Sequence, residues 1–227
     1  MAKQLDLQEQ EQLDELKAFW KQYGNLITGV LTLALLAFAA WNGWNWYQRD
    51  QAKKAGAMFE ALEQAAAAGD AARGAQVLKD LQERYPRTTY AQQGGLIAAK
   101  LLAEKGQADQ ARVALTWVAD NAPEDEYKTI ARLRLAGVLM EAKQYDEGLK
   151  QLAGATAPDF AALVADRRGD VLLAQGKKDE AKAAYEAAYK GMDEKLDYRR
   201  LVDAKLTALG AAPAAAAASA AASGASR

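Results

Sequence analysis

RGDVLLAQGKKDEAKAAYEAAY, residues 168–189, decides how this chain folds. A helix-forming run breaks at Gly176, and a second opens on Asp179 and Glu180, acids placed where the dipole of a new helix favours them. Small side chains, Gly169 and Ala181, stand on either side of the break, while Val171, Leu172, Leu173 and Tyr185 supply bulk. Two helices joined by so short a turn lie antiparallel, and they approach closely only where side chains are small.

The pattern recurs towards the N-terminus. Ala181 follows Gly148, Ala111 and Gly74 at intervals of 33, 37 and 37 residues, the spacing of two-helix repeats. Five residues before each small residue the chain breaks at Gly176, Gly106 and Gly69, with Lys143 in the same slot of the third unit. Twelve residues before it stand Leu62, Ala99, Ala136 and Gly169, and four after it Leu78, Leu115, Leu152 and Tyr185. Pro86 and Pro123 end the first two units. The units resemble tetratricopeptide repeats, although none carries a Trp at the first signature position. The expected fold is all-α: a tetratricopeptide-like solenoid of about four helical hairpins over residues 48–210, capped by a last helix from Asp193 to Leu209. An unstacked helical bundle is the alternative, and it leaves the shared register unexplained. Beyond Gly210 an Ala/Ser-rich tail, 211–227, has too little apolar bulk to offset ordering and is expected to be disordered.

Upstream of the repeats, no charged side chain occurs from Gln22 to Gln48. The core of this run, LITGVLTLALLAFAAWNGWNW (Leu26 to Trp46), predicts a transmembrane helix over residues 25–47, since about 20 apolar residues cross the hydrocarbon of a bilayer. Phe19, Trp20 and Tyr23 precede it and Trp41, Trp44, Trp46 and Tyr47 close it, as aromatic belts do. Ala37-Phe38-Ala39 has the outline of a signal cleavage site. Against cleavage stand an N-terminal segment, residues 1–24, with five acids to three lysines, and apolar residues continuing past the cut. Charge does not orient the span: Lys3, Lys17 and Lys21 lie on one side, Arg49, Lys53 and Lys54 on the other. Ala39 and Gly43 form a small-xxx-small pair beside Asn42, candidate contacts for a neighbouring helix.

Much chemistry is excluded. The chain has no His and no Cys, which removes the commonest general base, the thiolate nucleophile and the commonest metal ligands. A net charge of −1 provides no basic surface for nucleic acid. Gly169 with Gly176-Lys177 lacks the spacing, the hydroxyl residue and the strand of a phosphate loop. Glu124, Asp125 and Glu126 read as the first turn of a helix rather than a cation site. The expectation is a protein-binding module with no enzyme activity, no cofactor, no metal and no small-molecule substrate. Stacked hairpins line their concave face with the first helix of each unit, so the register nominates Gln93, Leu96, Lys100, Leu133, Gly137, Met140, Asp166 and Asp170. Some of these must pack between repeats, because interfaces concentrate their energy in few residues.

The order of parts is similar to the YfgM family of bacterial inner-membrane proteins: a short acidic N-terminus, one Trp-rich span, then degenerate repeats. Arg132-Leu133-Arg134-Leu135-Ala136, Lys143 with Asp146 and Leu149-Lys150-Gln151-Leu152, and Val164-Ala165-Asp166-Arg167-Arg168-Gly169-Asp170 resemble its best-marked segments. The Ala-rich tail departs from the family pattern. The resemblance implies a single-pass type II protein of the inner membrane, with residues 1–24 cytoplasmic and the repeats periplasmic. It implies as partners the SecYEG translocon and a PpiD-like periplasmic chaperone, to which emerging proteins are passed. A scaffold for another envelope or division complex is the alternative that the residues leave open.

Overall fold

A computed structural model of the chain describes residues 7–211, with side chains from residue 11 onward. The expected disorder of the tail falls almost wholly outside this range. The described residues form nine α-helices and no strand: α1 (Leu7–Ala67), α2 (Ala71–Arg84), α3 (Thr89–Glu104), α4 (Ala108–Asn121), α5 (Asp125–Glu141), α6 (Tyr145–Ala153), α7 (Ala161–Ala174), α8 (Lys178–Gly191) and α9 (Asp197–Ala208). They divide into two compact units, up to Gln51 and from Ala52.

α1 is unbroken from Leu7 to Ala67. The Lys- and Ala-rich stretch after the apolar run, which reads as a linker, is helix as well: Gln, Ala and Lys are strong helix formers, and no proline interrupts them. In the second unit the end of α1 buries Ala55, Leu62 and Ala65 and forms a hairpin with α2. α3–α4, α5–α6 and α7–α8 are the next three hairpins, and α9 follows. All twelve register residues are buried. The approach is tight where the pattern requires it: a Cβ on Gly169 would stand 2.5 Å from the ring of Tyr185.

Each hairpin closes with the same geometry. Gly69, Gly106 and Gly176 have φ of 66°, 74° and 84°, and the next amide reaches back five residues, as in Asp70 N–H to Ala65 O at 2.9 Å. Lys143, at φ 57°, makes the same turn, with Gln144 N–H donating to Leu139 O at 2.8 Å. Among the described residues Lys143 alone holds a left-handed conformation without being glycine, at a steric cost of about 1–2 kcal/mol. Lys143→Gly removes that cost and adds back the entropy of a freer unfolded chain, so it is expected to stabilise the repeats by about 0.5 kcal/mol. A higher urea midpoint at unchanged slope is the measurement that checks it.

One helix is shorter than its counterparts, and one boundary differs from the expectation. α6 has 9 residues against 14 in α4. The chain leaves it through Ala157, whose extended backbone suits the residue before Pro158, into a 3-10 turn at Pro158–Phe160; the shortened helix accounts for the interval of 33 between Gly148 and Ala181. The capping helix starts at Asp197 rather than Asp193, because the Asp193 carboxylate accepts from Lys195 N–H at 2.8 Å and holds a turn that competes with helix. Asp125 and Glu126 do open α5, as expected for a first helical turn.

Candidate functional site

The eight nominated residues divide by what they touch. Leu96 is buried, and its carbonyl accepts from Arg134 at 3.1 Å. Leu133 and Met140 are half-buried against Ala136, Leu152 and Val171. Gln93 donates to the Tyr127 hydroxyl at 2.8 Å, a bond between α3 and α5 of successive hairpins. The Arg167 guanidinium lies over Gly137, within 3.7 Å of where a Cβ would be. Lys100 is exposed, 3.7 Å from Glu104 on the same helix. These six sit on the first helices of the second and third hairpins, and all but Lys100 join one hairpin to the next or fill the core.

Asp166 and Asp170 have another task. Four residues apart on α7, they project from one face towards α9. The Lys205 ammonium bonds Asp166 Oδ1 at 2.8 Å, Asp166 Oδ2 at 3.0 Å and Asp170 Oδ1 at 2.6 Å. Tyr198 O–H donates to Asp166 Oδ2 at 2.7 Å, and Tyr185 O–H to Asp170 Oδ1 at 2.8 Å. Arg167 flanks Asp170 at 3.7 Å. Asp166 is 2% exposed, so its charge is tolerated only because these donors saturate it. Val202 and Leu206, fully buried, supply the apolar part of the same docking. The register found the carboxylates; Lys205, Tyr185 and Tyr198 escaped it as their partners. An acid pair at i and i+4 beside a glycine was the available signal, but nothing local ties it to a lysine 35 and 39 residues away.

Burial raises both phenols above the ordinary tyrosine value, and their hydrogen bonds to Asp170 and Asp166 raise them further, Tyr198 to about 12. The unfolded chain ionises near pH 10 while the folded one keeps these protons. The stability they confer is therefore intact below pH 10 and is lost as the pH climbs towards about 12. Tyr198→Phe is expected to cost about 1.5 kcal/mol at neutral pH through the lost bond to a charged acceptor. It is also expected to flatten the decline between pH 10 and 12, which urea midpoints across that range measure.

In the first unit the surface is apolar instead. Every Leu, Val, Phe and Trp from Leu26 to Trp46 is exposed on α1, a surface that water does not tolerate and lipid does. Trp20 and Trp46 are about 40 Å apart at 1.5 Å per residue, the thickness of a bilayer with its headgroups. Three polar side chains of the run bond within the helix: Thr28 donates to Gly24 O, Thr32 to Thr28 O, and Asn42 to Phe38 O. Ala39, Asn42 and Gly43 all stand exposed on this surface, with open space beside Gly43.

The described residues hold no group of three His, Cys, Asp or Glu side chains arranged for a metal ion. Polar groups here join helices, and the large apolar surface is in α1.

Comparison with known proteins agrees with this architecture. The family model described as "Tetratricopeptide repeat-like domain" matches residues 17–211. An "Ancillary SecYEG translocon subunit" of Neisseria gonorrhoeae is 32% identical over 89% of this chain and 98% of its own. Proteins of the same name from Escherichia coli, 29% identical over 80% of this chain and 87% of theirs, and from Haemophilus influenzae, 27% identical over 80% and 89%, are similar too. One apolar helix, repeats that share a register and relatives aligned along nearly the whole chain agree: the chain belongs to the YfgM family, with its tetratricopeptide repeat-like domain.

Proposed function

We propose that this protein is a membrane-tethered binding module, an ancillary subunit of the SecYEG translocon that helps pass translocated proteins to periplasmic chaperones. The observation that carries the reading is the relative of that name, aligned over 98% of its own length and 89% of this chain. Residues 1–24 are cytoplasmic in this scheme, residues 25–47 cross the inner membrane, and the repeats of 48–210 stand in the periplasm beside a PpiD-like chaperone. The work is done by position. A repeat domain anchored at the channel exit meets each emerging segment at the effective concentration of a tethered pair, commonly millimolar, so weak contacts suffice without chemistry. The lining residues that leave side-chain surface for a client are Lys100, Gln93, Leu133 and Met140, all exposed or half-buried.

Photo-crosslinking from Lys100 and Met140 in native membranes tests the reading, followed by purification in mild detergent. Channel subunits and a membrane-anchored periplasmic chaperone are the expected products. Products confined to envelope or division proteins would transfer the domain to a scaffold role, and the absence of all of these defeats the proposal.

A further inference from the structure

Leu13, Leu16, Trp20 and Tyr23 follow one another at helical intervals in α1 and share a face. All four are exposed, Leu16 at 62% and Leu13 at 40%. Lipid accounts for only part of this stripe. The uncharged run from Gln22 to Gln48 is centred on Leu35, which places Leu16 about 28 Å and Leu13 about 33 Å from the bilayer midplane at 1.5 Å per residue. Headgroups end about 20–22 Å from that plane, and an ordinary tilt of about 20° still leaves Leu16 about 27 Å out. Trp20 and Tyr23 rest at the headgroups; Leu13 and Leu16 reach into water. Beside them on the helix stand Glu11, Asp14 and Glu15, all exposed, with Lys17 joined to Asp14 at 3.0 Å.

We propose that this acidic, amphipathic start of α1, residues 11–23, is a docking surface for the basic cytoplasmic face of a neighbouring polytopic membrane protein, where Lys and Arg flank an apolar patch. The proposal rests on the type II orientation given above. Charge selects the occupant. A second copy would set the same carboxylates side by side, and an anionic leaflet would repel this surface, with three acids to two lysines, as it would the whole of residues 1–24, with five to three. Lying flat on lipid would also break a helix that runs unbroken into the span. Polytopic membrane proteins keep their excess of Lys and Arg in cytoplasmic loops, which supplies the complement at the right depth.

The test uses the full-length protein in native membranes, with a photo-activatable side chain at position 13 or 16. The expected product joins it to a membrane-integral protein, and peptide mapping locates the crosslink in a Lys/Arg-rich loop. Glu11→Lys, Asp14→Lys and Glu15→Lys together are expected to lower its yield by about tenfold, a change matched by raising salt. Resistance of the variant to carbonate extraction verifies that the span is intact. Crosslinks to lipid only, to a second copy only, or to nothing overturn the proposal, as does a yield indifferent to charge reversal. A product on a basic loop of some other membrane protein sustains this surface and defeats the translocon reading. Translocon products from the repeats, with none from residues 13 and 16, do the reverse.

Discussion

Replacing Lys205 by Met is expected to destabilise the C-terminal end of the repeat domain by about 3 kcal/mol, the lower end of what breaking a buried ion pair costs. Methionine keeps the volume and the apolar stem, so packing is nearly conserved and the loss isolates the charge. Without the ammonium, Asp166, whose side chain is 3% exposed, keeps the Tyr198 phenol as its hydrogen-bond donor and faces Asp170, which retains Tyr185 and the flanking Arg167. The buried Asp166 then lacks the cation that compensated it, and the quickest relief is for α9 to leave the site. Faster amide exchange at Val202 and Leu206 than in α3 to α5 should accompany the loss. Adding Asp166→Asn to Lys205→Met should restore at least half of it, since the amide needs no counter-charge. A Lys205→Met variant that loses under about 1 kcal/mol would mean that Asp166 is solvated by other means, contrary to its burial.

Leu33→Arg with Leu36→Arg is expected to free the chain from the membrane. Both positions flank the centre of the uncharged run, where each arginine costs about 2.5–3.5 kcal/mol, or about 6 kcal/mol for the pair. From the middle of the run neither guanidinium reaches water easily by snorkelling. The variant should pass from the pellet to the supernatant on alkaline carbonate extraction, while Leu33→Ala with Leu36→Ala stays in the pellet. The repeats form a compact unit of their own, so the released protein should keep their helical circular dichroism and cooperative urea unfolding. If the arginine pair remained carbonate-resistant, the apolar run would not be what holds this protein in the membrane.

The stack was legible in the sequence because its cause is periodic. The turn residues must take positive φ and the crossing residues must be small, so the same positions recur, and the pattern located Lys143 although it is no glycine. The long apolar helix was legible for a similar reason, since an uncharged run of that length without proline favours one exposed, unbroken helix. Boundaries were less so: Asp193 begins a good helical sequence, yet its own carboxylate captures a backbone amide and delays α9. Least legible were the roles of the nominated lining residues. Register gives the face of a helix, but whether that face meets a partner, the next hairpin or a cap depends on residues far along the chain. Gln93 proved to bond Tyr127 and Asp166 to hold Lys205, both across more than thirty residues.

The surface that α9 covers also fixes how many repeats the protein can have. Solenoids lengthen by duplication when the outer side of the last hairpin is apolar throughout, ready for a copy of the unit before it. Here that side carries Asp166 and Asp170, and an added hairpin would strand both unless it brought a cation to the same spot. Two acidic side chains therefore terminate the array, and its length is inherited as a local electrostatic requirement rather than as a tally of units.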